Sequence, residues 1–158
     1  MHLASCSKRI DQGFSRIYQK YLVGMLKDSV KDKISSNIFS STFADKLPEK
    51  LANIKTIWQF DQQVTAPING FKSAEDYYQQ ASGRFILDKI KQPCLIIHSN
   101  DDPFLCDKNT RDISSIPKNI CFEVSKKGGH VGFINGNNPF KPNFWLEQRV
   151  PTFLEQHL

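Results

Sequence analysis

Pro93-Cys94-Leu95-Ile96-Ile97-His98-Ser99-Asn100-Asp101-Asp102-Pro103-Phe104 is the stretch whose reading decides the fold. Five largely apolar residues in a row, Cys94 to His98, predict a strand buried on both faces, since a one-sided strand alternates. Two acids and a proline follow at once. A second apolar run, Ile120-Cys121-Phe122-Glu123-Val124, comes a crossover's length later and leads into Gly128-Gly129-His130-Val131-Gly132-Phe133. The order is strand, acid, connection long enough for a helix, strand, histidine in a glycine-flanked loop. A connection of that length permits a parallel pair, with 94–98 beside 120–124. In open α/β sheets, functional groups gather just past the carboxyl ends of strands. The acid and the histidine both fall there.

The residues on either side extend the pattern. Gln12-Gly13-Phe14-Ser15-Arg16-Ile17-Tyr18-Gln19, Phe60-Asp61, Thr65-Ala66-Pro67 and Asp76-Tyr77-Tyr78 lie upstream, and Trp145-Leu146-Glu147-Gln148-Arg149 lies downstream. Together with the central stretch they resemble the closing part of the YheT-like α/β-hydrolases (the AB hydrolase 4 family). The resemblance runs over nearly the whole chain but takes in only the second half of such a hydrolase. It implies a single partial domain over 1–158, the carboxyl-terminal portion of an α/β-hydrolase fold from just past its sixth strand. About 9–91 would be a helical lid and connecting region. About 92–158 would hold the last two strands, the acid and histidine loops and a terminal helix.

The resemblance also implies a chemistry. Members of the family are ester-cleaving serine hydrolases with the chain order Ser…Asp…His. The orienting acid immediately precedes the proline, which here is Asp102, 28 residues before His130. Asp101 then supports the turn from behind, and it stays the alternative acid. The family's serine stands upstream on a Gly-x-Ser-x-Gly elbow, with the oxyanion segment upstream as well. No Gly-x-Ser-x-Gly occurs in this chain, so no nucleophile is assigned to it. Ser15, in Gly13-Phe14-Ser15, sits inside a helical pattern rather than on a strand-to-helix turn. The expectation is an esterase-like or lipase-like hydrolase present as a fragment that is inactive alone. A non-catalytic remnant or partner-binding module is the first alternative, and a metal-dependent hydrolase is the second.

For the metal alternative, His98, Asp101, Asp102 and His130 offer nitrogen and oxygen ligands. No His-x-x-x-His or clustered Cys/His spacing supports it, so no metal or other cofactor is expected, and His98 reads as a packed strand residue. Composition is in keeping with a globular domain: 158 residues, 39% hydrophobic, with a net charge of +5. The lysines are scattered among acids rather than gathered on one face with stacking aromatics, which argues against nucleic acid. Cys6, Cys94, Cys106 and Cys121 show no Cys-x-x-Cys spacing, and reduced thiols in a cytoplasmic protein are the simple expectation. Leu3-Ala4-Ser5-Cys6 looks like a lipoprotein cleavage box but lacks the charged and apolar segments of a signal. No apolar run approaches the ~18 residues of a membrane span. The expected partners are an ester substrate and either the missing amino-terminal half or a second copy.

Apolar spacing predicts a helix over 9–32 through Ile10, Phe14, Ile17, Tyr18, Tyr21, Leu22, Met25 and Leu26. Short helices are expected over 48–53, over 54–63 with an end before Pro67, over 73–81 capped by Ser73, over 84–91 and over 110–116. A terminal helix over 144–158 should be kinked at Pro151. Aromatic residues in the helical region are expected to pack inward, or else to line an acyl pocket.

Overall fold

The computed structural model describes residues 2–39, 45, 47–104, 116–135, 138 and 140–157. Cys106, Gly136, Pro139 and the helix expected over 110–116, apart from Ile116, lie outside them. The chain forms two compact units, His2–Ser82 and Gly83–Leu158.

The first unit is helical. Its opening is two helices, α1 (Leu3–Ile10) and α2 (Ser15–Ser35), where apolar spacing predicts one. Helix α1 is capped at Asp11, and the link to α2 turns at Gly13, whose φ of +56° is a left-handed conformation that glycine enters without steric cost. The buried face of α2 is also not the aromatic one. Gln19, Val23 and Val30 turn inward, whereas Phe14 is 93% and Met25 54% exposed. Helix α2 therefore carries apolar residues on two faces, and periodicity alone does not say which is covered. Gln19 is buried without an unmet polar atom: its amide donates to Asp11 Oδ1 (2.9 Å) and accepts the N–H of Ile57 (3.1 Å).

Val23 and Val30 pack with Leu47 and Leu51 of α3 (Leu47–Asn53) and with Ile54, Phe60 and Val64. Helix α4 (Ile57–Phe60) starts on a capping box in which Thr56 and Gln59 exchange hydrogen bonds. It does not stop before Pro67. A widened turn over Asp61–Thr65 carries it into α5 (Ala66–Ile68). The i→i−5 bond from Ala66 N–H to Asp61 O sets the wider turn, which relieves the clash that a proline ring makes with an ordinary α-helical turn.

Helix α6 (Ala74–Ala81) begins where the sequence predicts, with the Ser73 hydroxyl accepting the N–H of Asp76 at 3.1 Å. Ser73→Ala is expected to cost about 1 kcal/mol, measured by urea unfolding; an unchanged midpoint would remove that role. Tyr78 of α6 is buried. Its hydroxyl donates to Asp61 Oδ2 (2.5 Å), and Trp58 stands edge-on to its ring. Burial, first, and the hydrogen bond to the Asp61 carboxylate push the phenol's pKa upward. These aromatics pack inward as expected, unlike Phe14 and Tyr21 on α2.

In the second unit, two 3₁₀ turns, Gly83–Phe85 and Leu87–Lys89, replace the single helix expected over 84–91. Strand β1 (Cys94–Ser99) then runs parallel to β2 (Ile120–Ser125), in register from Cys94 opposite Ile120 to Ser99 opposite Ser125. The Asn119 side-chain amide donates to the carbonyls of Ile90 and Gln92, tying the lead-in of β1 to the start of β2. Five of the six β1 residues are half-buried rather than buried on both faces. Among the described residues this sheet has two strands, so each strand has one paired edge and limited cover. A short antiparallel pair follows, β3 (Ile134–Asn135) with β4 (Asn143–Phe144). The terminal helix α7 (Trp145–Glu155) contains Pro151 and buries Phe153. Its Arg149 grips the Glu123 carboxylate of β2, Nε lying 2.9 and 3.0 Å from the two oxygens. That bond to Arg149, above all, holds the Glu123 carboxyl below its ordinary value.

Candidate active site

Parallel pairing with Ser99 opposite Ser125 puts the carboxyl ends of β1 and β2 at one edge of the sheet. The loop after β1 carries Asp101 and Asp102, and the loop after β2 carries His130. The loops meet there because the strands end there together.

Asp102 is buried, its side chain 3% exposed, while the His130 side chain is 49% exposed. Asp102 Oδ2 lies 2.8 Å from His130 Nδ1, and Oδ1 accepts the Phe104 N–H at 2.8 Å. Both carboxylate oxygens are therefore engaged. The first bond is made by the Nδ1–H tautomer, which leaves Nε2 as the nitrogen able to exchange a proton with a substrate or nucleophile. The Phe104 ring stands edge-on to the imidazole at 4.8 Å and 90°, restricting its rotation on one side.

Asp101 does not touch the imidazole. Its Oδ1 accepts the N–H groups of Gly128 and Gly129, each at 2.9 Å. The bond from Gly129, with those from the Ser99 side chain and Gly128 adding to it, holds this carboxyl below the ordinary aspartate value. The Ser99 hydroxyl donates to the Gly129 carbonyl. The loop closes on itself through the Phe133 N–H to the Gly128 carbonyl (2.9 Å). Gly129 has φ +62° and Phe133 φ +44°. Left-handed backbone at a bulky residue is strained, and it is held here by a buried ring and a closed turn.

His98 takes no part in the Asp102–His130 contact, though both groups lie within electrostatic reach of it. It packs edge-on to Phe122 (5.8 Å) in the strand pair, and burial lowers its basicity. Among the described residues, no group of three or more His, Cys, Asp or Glu side chains is placed to hold a metal ion. Ser15 is the first residue of α2 in the helical unit. Of the residues singled out from sequence, the structure joins Asp102 to His130 and gives Asp101 a backbone to hold. Ser99 and Phe104 were not foreseen. Nothing local marks a strand's last serine as a partner for a carbonyl 30 residues away, whereas Phe104, two residues past the acid, was within reach of inspection.

The chain is 38% identical over 159 residues to the protein named "Putative esterase YheT" of Escherichia coli (strain K12), across 99% of this chain and 45% of that protein. It is 35% identical to the "Monoacylglycerol lipase" of Saccharomyces cerevisiae across 69% of this chain and 24% of the relative. An "Abhydrolase domain-containing protein" of Dictyostelium discoideum is 32% identical across 100% of this chain and 39% of its own length. The chain thus spans less than half the length of these curated relatives. No family profile matches it, and neither does a solved structure. Among the described residues, no helix is long and apolar enough to cross a membrane.

Proposed function

The chain belongs to the α/β-hydrolases, as the counterpart of the carboxyl-terminal part of YheT-like esterases, and on that premise we propose that it supplies the acid and the base of a serine-type carboxylic-ester hydrolase. The observation that carries this reading is the 2.8 Å contact between a buried Asp102 and a half-exposed His130. In this reading Asp102 holds the imidazole in one tautomer and steadies the imidazolium. His130 Nε2 takes the proton of a serine hydroxyl as that oxygen attacks the ester carbonyl, then returns it to the leaving alcohol. The second half of the cycle repeats with water as the attacking group.

In this reading the serine stands on a Gly-x-Ser-x-Gly elbow, which does not occur within these 158 residues, and the oxyanion donors come from outside them as well. An ester class of substrate is supported by the names of the relatives, two of which are an esterase and a monoacylglycerol lipase. A base without an aligned hydroxyl and oxyanion site gives little acceleration. The isolated chain is therefore expected to hydrolyse p-nitrophenyl acetate no faster than its His130→Ala variant. Turnover by the chain alone that is lost in His130→Ala would contradict this division of the site.

One observation favours a partner-binding reading beside it. Phe14, Ile17 and Met25 leave an apolar face of α2 exposed, and such faces mark interaction surfaces. Sedimentation of the chain over a range of concentrations checks for self-association through it: Ile17→Glu should shift any oligomer toward monomer.

A further inference from the structure

The two acids of the Asp101-Asp102 pair divide the work of presenting His130. Asp102 touches the ring; Asp101 holds the backbone that carries it. We propose that Asp101 is a positioning residue for His130, its carboxylate acting with the Ser99 hydroxyl to clamp the Gly128-Gly129 backbone and so fix where the imidazole stands. The inference rests on the reading of His130 as the base.

Four contacts make the clamp. Two successive N–H groups, Gly128 and Gly129, converge on one oxygen, Asp101 Oδ1, at 2.9 Å each. Convergence of consecutive N–H groups on an anion is the geometry of a backbone nest, and the left-handed φ of Gly129 makes it possible here. The anion is built into the chain. The Ser99 hydroxyl holds the Gly129 carbonyl, which belongs to the peptide joining Gly129 to His130. From the far side, Phe133 N–H holds the Gly128 carbonyl. Every backbone polar group of Gly128 and Gly129 is thereby fixed immediately before the histidine. Ser99 and Asp101 both issue from the end of β1, the element that also carries Asp102, so the base's loop and its acid are referred to one rigid strand end. The hydrogen bonds to Asp101 are charge-assisted and so stronger than neutral ones. An error of about 1 Å in placing a catalytic group costs on the order of 10²-fold in rate, which is the scale on which such a clamp matters.

The test uses nuclear magnetic resonance on the 158-residue chain, where no turnover is needed. In Asp101→Ala the amide protons of Gly128 and Gly129 should exchange at least about tenfold faster, since the charge-assisted bonds that protect them are gone. The His130 ring signals should shift toward those of an unstructured histidine, while amides in α2 and α6 stay as they were. Asp101→Asn keeps an acceptor oxygen and should recover part of the protection. Ser99→Ala should loosen Gly129 more than Gly128. Unchanged glycine exchange together with unchanged His130 signals in Asp101→Ala would overturn the proposal. Should that variant unfold, Asp101→Asn decides: faster exchange confined to the two glycines supports the clamp, and wild-type exchange overturns it. A wild-type spectrum with no His130 Nδ1 proton hydrogen-bonded to Asp102 would instead sink the reading of the dyad, with the clamp still judged on the glycine amides.

Discussion

His130→Ala is expected to lower ester kcat/KM by on the order of 10⁶-fold, and Asp102→Asn by on the order of 10⁴-fold, in a chimera where this chain replaces the matching part of the Escherichia coli YheT relative. The two figures differ for a physical reason. Alanine at 130 removes the group that accepts the serine proton. Asparagine at 102 fills the same buried space but offers Nδ1 a donor or a neutral acceptor in place of a carboxylate, so the imidazole is oriented poorly and its charged form is not stabilised. Because the bond between them is buried at the Asp102 end, solvent cannot substitute for the lost carboxylate. The losses should not add in the double variant, since both act on one proton transfer. A chimera whose activity is indifferent to both substitutions would remove the dyad from the mechanism.

The next largest effect is expected at Gly128. A Cβ there would lie 2.6 and 2.7 Å from two ring carbons of Phe133. The ring has nowhere to retreat: Phe133 is 6% exposed, and its N–H is bonded to the Gly128 carbonyl itself. Gly128→Ala should therefore open the loop, costing roughly 1–3 kcal/mol as overpacking does, and should separate His130 from Asp102. Gly129→Ala is the informative comparison. Its Cβ meets nothing within 4 Å, so its cost is only that of φ +62° for a non-glycine residue, roughly 1–2 kcal/mol. Denaturant unfolding gives the costs, and the His130 ring signals report the dyad. A Gly128→Ala variant with the wild-type midpoint and ring signals would mean that Phe133 does not close the turn as described.

The second unit was legible because two physical constraints coincide in it. A continuous apolar run followed by acids, and a second run followed by glycines, can pair in parallel only with both polar ends at one edge, so the Asp101-Asp102 pair and the histidine loop become neighbours. The choice of Asp102 over Asp101 came from the resemblance, not from spacing; either acid could have reached the histidine loop, and each in fact reaches a different part of it. The helical unit was less legible. One apolar spacing runs through 9–32, and it does not show that the chain leaves the helix after Ile10 and turns through the left-handed Gly13 before α2. The apolar spacing read through Phe14, Ile17, Tyr21 and Met25 follows the exposed face of α2 and leaves out Val23 and Val30, which the core buries. Pro67 was read as a stop because the rule assumes an ordinary α-turn before it, and the widened turn over Asp61–Thr65 removes that assumption. The burial expected of β1 failed because a continuous apolar run reports what a strand can tolerate on its faces, not how many strands flank it.

The central claim is that this chain holds the base and acid of a hydrolase whose nucleophile lies outside it. Fluorophosphonate labelling of the isolated chain and of the YheT chimera, followed by mapping of the labelled peptide, tests it most directly. The expected result is no specific label on the isolated chain, and in the chimera a single labelled serine within the YheT-derived segment, with labelling that collapses in His130→Ala. Label on a serine of this chain, lost when that serine is replaced by alanine, would contradict the claim.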